Sequence, residues 1–307
     1  MQRRVWWFAK LLLTGGLIWF VLRKVDLGGL GRTLGQMSPQ AALVALVLTV
    51  ASAAVSAWRW HRVLRRLGLA VPVSGLLGDT LVGTAYNLLL PTSVGGDVVR
   101  SVRLGRRIGD PELAWASVVF ERVVGLFALA VVSAAGLGYT LSAKTRPILL
   151  LAVGMALGLG ATLVLAPVPL AFLARVGGRF SQRSAEFFVR LGQAFTGPLS
   201  QARARLETLG WSLLYQLVAL SVLVAPAFSW QEPRLLEAVY LGVPIALIGA
   251  TAPVTLGGLG LRESLFVVVL EPFGISAERA LGLSLVWLGS NLVVGGLGVL
   301  VIGWGRR

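Results

Sequence analysis

Six charged residues stand inside long apolar stretches of this chain: Asp97, Arg100, Glu121, Arg122, Arg262 and Glu263. A charge at bilayer depth costs about 2.5–3.5 kcal/mol on insertion scales and is kept where it has a use. Guanidinium groups present a planar fork of donors that fits carboxylate and phosphate oxygens. The chemistry on offer is therefore capture of an oxyanion. Arg103 lies one turn beyond Arg100 and extends the same cationic wall, while Asn87 and Asn291 add amides to the apolar runs. Asp97 precedes Arg100 by three residues, on the same face if the segment is helical, although capping a helix start would also account for it. Glu121 and Arg122 are adjacent, hence about 100° apart around a helix, so each needs a partner elsewhere. Glu121 is expected to meet an arginine of the glycine-rich segments, and Arg122 to meet Asp97 or substrate. A buried ion pair that only pins one element to another would serve equally well. Lys10 and Asp79 fall near the ends of apolar runs, where snorkelling explains them.

The elements that hold these residues repeat. Pro91-Thr-Ser-Val-Gly95-Gly96-Asp97-Val-Val-Arg100 returns as Pro253-Val-Thr-Leu-Gly257-Gly258-Leu-Gly260-Leu-Arg262, with proline, both glycines and arginine in register. Glycine and proline interrupt helices, and broken backbone at membrane depth survives only where protein or a water-filled cavity satisfies it. Matched interruptions in two halves of a membrane chain point to a duplicated transporter core. The glycines at 257, 258 and 260 would also bare backbone N–H groups at a helix start, a favourable place for an anionic headgroup.

Composition fixes the class. The 307 residues are 56% hydrophobic and 13% charged, against a usual charged share of about 25%, and mean hydropathy is +0.81. The chain reads as an all-α polytopic membrane protein forming one domain over 1–307. There is no cysteine and the only histidine is His61, which removes disulfides, thiolate catalysis and ordinary metal ligation. The segment Gly258-Leu-Gly260-Leu-Arg262-Glu263 lacks the third glycine of a dinucleotide fingerprint, and no lysine-serine follows to make a phosphate loop. No metal, cofactor or enzymatic role is expected. The net charge of +15 could suggest nucleic acid, but the basic residues lie in short loops between apolar runs, which assigns them to topology and to anionic lipid.

Spans long enough for about 30 Å of hydrocarbon are predicted near 1–22, 40–58, 113–138, 147–172, 209–229 and 280–303. The motif regions, 74–99 and 238–270, each read as two short apolar arms joined at a break, that is, as re-entrant hairpins. With both re-entrant, loops on one side carry 18 Lys and Arg, those on the other 7. The positive-inside rule then makes both termini cytoplasmic in the cytoplasmic (inner) membrane. Each half becomes span, span, hairpin, span, over about 1–140 and 141–307, with opposite orientation: an inverted repeat. Loop 174–208 mixes Phe187, Phe188, Leu191 and Phe195 with Arg179, Arg183 and Arg190, and is expected to lie as an amphipathic helix on the anionic leaflet.

Taken together, Asn87, Leu90-Pro91, Gly95-Gly96-Asp97, Arg100, Glu121-Arg122 with Gly125-Leu126, Pro253, Gly257-Gly258, Gly260 and Arg262-Glu263 resemble the lysylphosphatidylglycerol synthase transmembrane region, a flippase-like family. The resemblance spans nearly the whole chain. It implies lipid handling without one fixed substrate, and a standalone member, since the sequence stops at Arg307 without the soluble synthase domain. On that basis the expected function is translocation or binding of a lipid with an anionic or zwitterionic headgroup. The headgroup would be held by Arg100, Arg103, Arg122 and Arg262, with Asn87, Asp97, Glu121 and Glu263 orienting them. Transport of a small soluble anion, or a non-transporting role beside a lipid-synthesising enzyme, stays open at this level.

Overall fold

The computed structural model describes residues 2–90, 94–136, 143–177, 181–252, 254–255 and 258–304. Pro91, Pro253 and Gly257 lie outside the described residues, as do the side chains of Arg179 and Arg183. Among the described residues every regular element is a helix: α1 Gln2–Lys24, α2 Leu27–Gly35, α3 Pro39–Arg66, α4 Val73–Leu89, α5 Gly95–Ile108, α6 Pro111–Ala135, α7 Arg146–Leu165, α8 Pro167–Gly177, α9 Gln182–Thr196 and α10 Ala202–Ser221, followed by α11 Ala227–Trp230, α12 Leu235–Glu237, α13 Val243–Ala250, α14 Leu261–Leu270 and α15 Ala277–Trp304. Four of these, α3, α6, α7 and α15, are long and apolar enough to cross a bilayer. The protein is a multi-pass membrane protein.

Local chemistry sets the ends. Ser38 caps α3 by accepting from the Ala41 amide, with Pro39 in the first turn. Asp110 does the same for α6, accepting from Leu113 N at 2.9 Å ahead of Pro111. Such caps satisfy N–H groups that have no partner within the helix. Gly109, with φ of 73°, closes α5 in the left-handed conformation that favours glycine.

Both expected breaks are present. The α4/α5 pair is interrupted between Leu89 and Gly95, and the second pair between Ala250 and Leu261. Within each pair the two arms pack on one another. Several details differ from the sequence reading, and the predicted 147–172 span is one of them, because α7 ends at Leu165 and α8 begins at Pro167. The predicted 209–229 span is broken, because α10 ends at Ser221 and turns lead to Pro226 and α11. The first arm of the second pair is composite: α12, a π-helical turn over Ala238–Gly242, then α13. The 23–39 loop contains α2, capped by Asp26 on the amides of Gly28 and Gly29.

Packing crosses between the halves. The final helix α15 lies along α4 of the first pair, and α6 lies along α13 of the second, while α1 packs on α14. Close approach is built from small residues. A Cβ on Gly298 would collide with the Leu81 backbone, and one on Gly136 with the Leu241 side chain. Leu, Val and Trp side chains such as Leu12, Trp19, Val47, Leu157, Val164 and Leu300 remain exposed on the outside, as expected where lipid is the solvent. The anticipated amphipathic helix exists as α9, but it is docked: Phe195 is buried and meets Phe120 of α6 edge-on at 5.3 Å, and Arg190 pairs with Asp110 at 3.1 Å.

Candidate functional site

Both broken pairs face a single cavity of about 780 Å³. Its wall includes Arg59, Arg100, Arg122 and Arg262 against Asp97 and Glu121, so positive charge is in excess. Asn87, Gly258 and Asn291 also contribute to the lining, and the remainder is largely apolar, with Leu88, Leu126, Leu247 and Leu259 among it.

Glu121, on α6, is 2% exposed and accepts from two arginines at once. Arg59 of α3 reaches one carboxylate oxygen through Nε at 3.2 Å and Nη2 at 3.0 Å. Arg100 of α5 donates to the other through Nη2 at 2.5 Å. Each guanidinium is also stacked on an aromatic ring, Arg59 over Tyr215 at 4.7 Å and Arg100 over Trp60 at 4.5 Å. Cation–π contact and the ion pair fix both forks in place. Even so, Arg59 Nη1 and Arg100 Nε have no hydrogen-bond partner among the described residues. Buried donors left over in this way favour an incoming acceptor, because an unmade hydrogen bond there is costly.

Next along α6, Arg122 pairs with Asp97. Val94, not Asp97, occupies the cap position of α5, and no side chain bonds the cap there; Asp97 is committed to Arg122. The first pair is closed by Asn87, whose Oδ1 accepts from the Gly96 amide at 2.7 Å. Only glycine fits at 96, since a Cβ would strike the Gly83 carbonyl oxygen and Asn87.

The second half holds its arginine differently. Arg262 donates through Nε to Glu263 Oε1 and to Ser284 Oγ, both at 3.0 Å, and Ser284 in turn donates to Glu263 at 3.1 Å. Glu263 Oε2 accepts from the Gly260 amide at 2.9 Å, so one carboxylate both caps α14 and holds Arg262. Gly258 and Gly260, with φ of 79° and 77°, make the turn that aims this helix start at the cavity.

The structure thus brings Asn87, Asp97, Arg100, Glu121, Arg122 and Arg262 to one wall. Glu263 stands behind Arg262 and does not line the cavity. Arg103 lies elsewhere: with Arg107 it grips Asp79, at 2.6 and 2.9 Å. Asp79 is fully buried, not a snorkelling residue at a span end as its position in the sequence suggested. Gly95 and Gly96 begin α5 as expected of the break. Arg59, Tyr215, Gln216 and Ser284 join the site without a signal in the motifs, and Trp60, which in the sequence reads as an interfacial anchor, serves as the ring under Arg100. Arg59 falls just beyond the predicted 40–58 span, yet α3 runs on to Arg66. The aromatic flanks Trp58 and Trp60, which support continuation at interfacial depth, were the available signal.

A family model described as the lysylphosphatidylglycerol synthase TM region matches residues 7–298. No curated protein matches the chain.

Proposed function

Because the chain belongs to the lysylphosphatidylglycerol synthase transmembrane-region family, membrane proteins related to lipid handling, we propose that it binds a lipid with an anionic or zwitterionic headgroup and moves it between leaflets. The observation that carries this reading is the shared cavity, where arginines from both halves meet and two buried arginine donors lack partners among the described residues. A headgroup phosphate would pair with the guanidiniums that line the cavity while the acyl chains stay in the bilayer. On this reading the protein performs no bond chemistry on the lipid.

Alternating access would come from an inverted repeat, with α4/α5 and α12–α14 as re-entrant hairpins, six spans, and both termini cytoplasmic. Three packing relations support the symmetry. The contact of α15 with α4 has its counterpart in α6 with α13, that of α15 with α3 in α6 with α10, and that of α14 with α15 in α5 with α6. The tight glycines Gly136 and Gly298 are spaced by the same 162 residues as the two motifs, and each meets the first arm of the opposite pair. Arg100 reaches α6 at Glu121 and Arg262 reaches α15 at Ser284, nearly the same offset.

The test is exchange of a fluorescent phospholipid across the leaflets of proteoliposomes. Transfer should be present for the wild type and strongly reduced for Arg122→Ala and Arg262→Ala proteins that remain folded. Undiminished transfer in both variants would remove the cavity from the lipid path.

A further inference from the structure

A second basic concavity, of about 560 Å³, lies at the Arg66 end of α3 and the start of α10, sharing no residue with the central cavity. Its walls are Arg62, Arg66, Gln201, Arg203, Leu206 and Glu207. Glu207 is claimed by two guanidiniums, pairing with Arg62 and accepting from Arg66 Nη2 at 2.5 Å. One carboxylate against three arginines leaves excess positive charge. Arg62 and Arg66 are about one-third exposed, and Arg203 is exposed. The two arginines are thus oriented by Glu207 while much of each fork still faces outward, the arrangement that suits a phosphodiester.

Two neighbouring features fix the depth and the source of such a phosphate. One turn inward lies an aromatic cluster, with Trp58 5.6 Å from His61 and 6.0 Å from Trp211 between ring centroids. Tryptophan at this level marks the headgroup region of a bilayer. From the concavity an exposed stripe then descends α10 through Arg203, Leu206, Gly210, Leu214 and Leu217, the last two leucines being 41% and 43% exposed. Cationic mouth, aromatic pair and exposed apolar stripe follow one another from the Arg66 end of α3 toward the middle of α10.

We infer that this concavity and the exposed face of α10 below it form a binding site for an anionic phospholipid of the surrounding bilayer, separate from the central cavity: phosphate on Arg62, Arg66 and Arg203, acyl chain along Leu206, Leu214 and Leu217. A free phosphate would use the same arginines but gain nothing from the leucine track, which is why the lipid is the occupant.

The experiment takes delipidated protein in detergent and adds phosphatidylglycerol, phosphatidylcholine or inorganic phosphate. Bound lipid is counted by native mass spectrometry and the thermal midpoint is read in parallel. The wild type should retain phosphatidylglycerol over phosphatidylcholine, with one lipid more than the variants. Arg203→Glu, a change at an exposed position, should weaken that lipid by at least about fivefold. The triple change Arg62→Gln, Arg66→Gln and Glu207→Gln, which strands no charge, should remove it. Leaflet exchange should be unaffected in Arg203→Glu. Equal phosphatidylglycerol retention by wild type and both variants would overturn the inference. So would inorganic phosphate stabilising as well as the lipid, which would reassign the site to a free anion. Loss of exchange in Arg203→Glu would also overturn it, since these arginines would then belong to the transport path.

Discussion

Glu121 is held between Arg59 and Arg100 with 2% exposure. Glu121→Gln leaves two buried guanidiniums facing a neutral amide, and loss of one partner from a buried pair costs roughly 3–5 kcal/mol. Thermal unfolding in detergent should register that fall, and transport should fail with it. Arg262 separates binding from structure more cleanly. Its partner Glu263 keeps a second task on the Gly260 amide, so Arg262→Ala should cost less stability than Glu121→Gln while still abolishing lipid exchange. Adding Glu263→Ala should not restore exchange; if it did, the pair would be a structural clasp. Outside the spans, the Arg66 hydrogen bond, followed by that of Arg62, holds the Glu207 carboxyl below its ordinary range. A depressed carboxylate contributes stability that is present above its unfolded value, about 4.3, and lost as pH falls through the lower folded value. Unfolding midpoints of wild type and Glu207→Gln should therefore differ near neutral pH and begin to converge only below about 4.3, closing as pH falls through the lower folded value. A gap that stayed constant as far into acid as the fold survives would show that Glu207 contributes through something other than its charge.

At the scale of elements, the two breaks depend on glycine for different reasons. Gly96 sits where α5 touches α4, and Gly96→Ala should force the arms apart at a cost of about 1–3 kcal/mol. Gly260 has φ of 77° and lies against the Thr14 carbonyl of α1, so Gly260→Ala adds strain of about 1–3 kcal/mol. Both should show as lowered melting temperatures, and Gly31→Ala, with open space around it, should not. Much of this was legible in the sequence. The breaks follow from proline and glycine in register, the Arg122–Asp97 pair from adjacent positions needing separate partners, and the Glu121–Arg100 pair from the same argument. What was hidden depends on tertiary contact. The π-helical turn at Ala238–Gly242 follows from no local pattern, and Ser133 of α6 donates to the Leu241 carbonyl inside it. Tyr215 and Gln216 belong to an apolar run whose facing partner only the fold supplies. Asp79 looked peripheral because nothing local reveals that Arg103 and Arg107 fold back upon it.

For the whole molecule, the proposed orientation has a direct test that the absence of native cysteine makes clean. Ser276 and Ser200 are both exposed. In intact cells a membrane-impermeant thiol reagent should label Ser276→Cys and leave Ser200→Cys unlabelled until the membrane is opened. Labelling of Ser200→Cys from outside would reverse the topology and with it the inverted repeat.

The crossed packing of the halves has a consequence for synthesis. Since α4 rests on α15, whose Gly298 is seated against Leu81, the first broken pair emerges from the ribosome roughly 200 residues before its main support. At about 5–20 residues per second that interval is on the order of ten seconds or longer. During it, Asp79 can already pair with Arg103 and Arg107 inside the first broken pair, whereas the apolar side destined for α15 must be covered by lipid or an insertion factor. Truncation just before α15 should therefore leave a nascent chain that is inserted, protease-sensitive at the first pair, and marked for degradation by the cell's quality control.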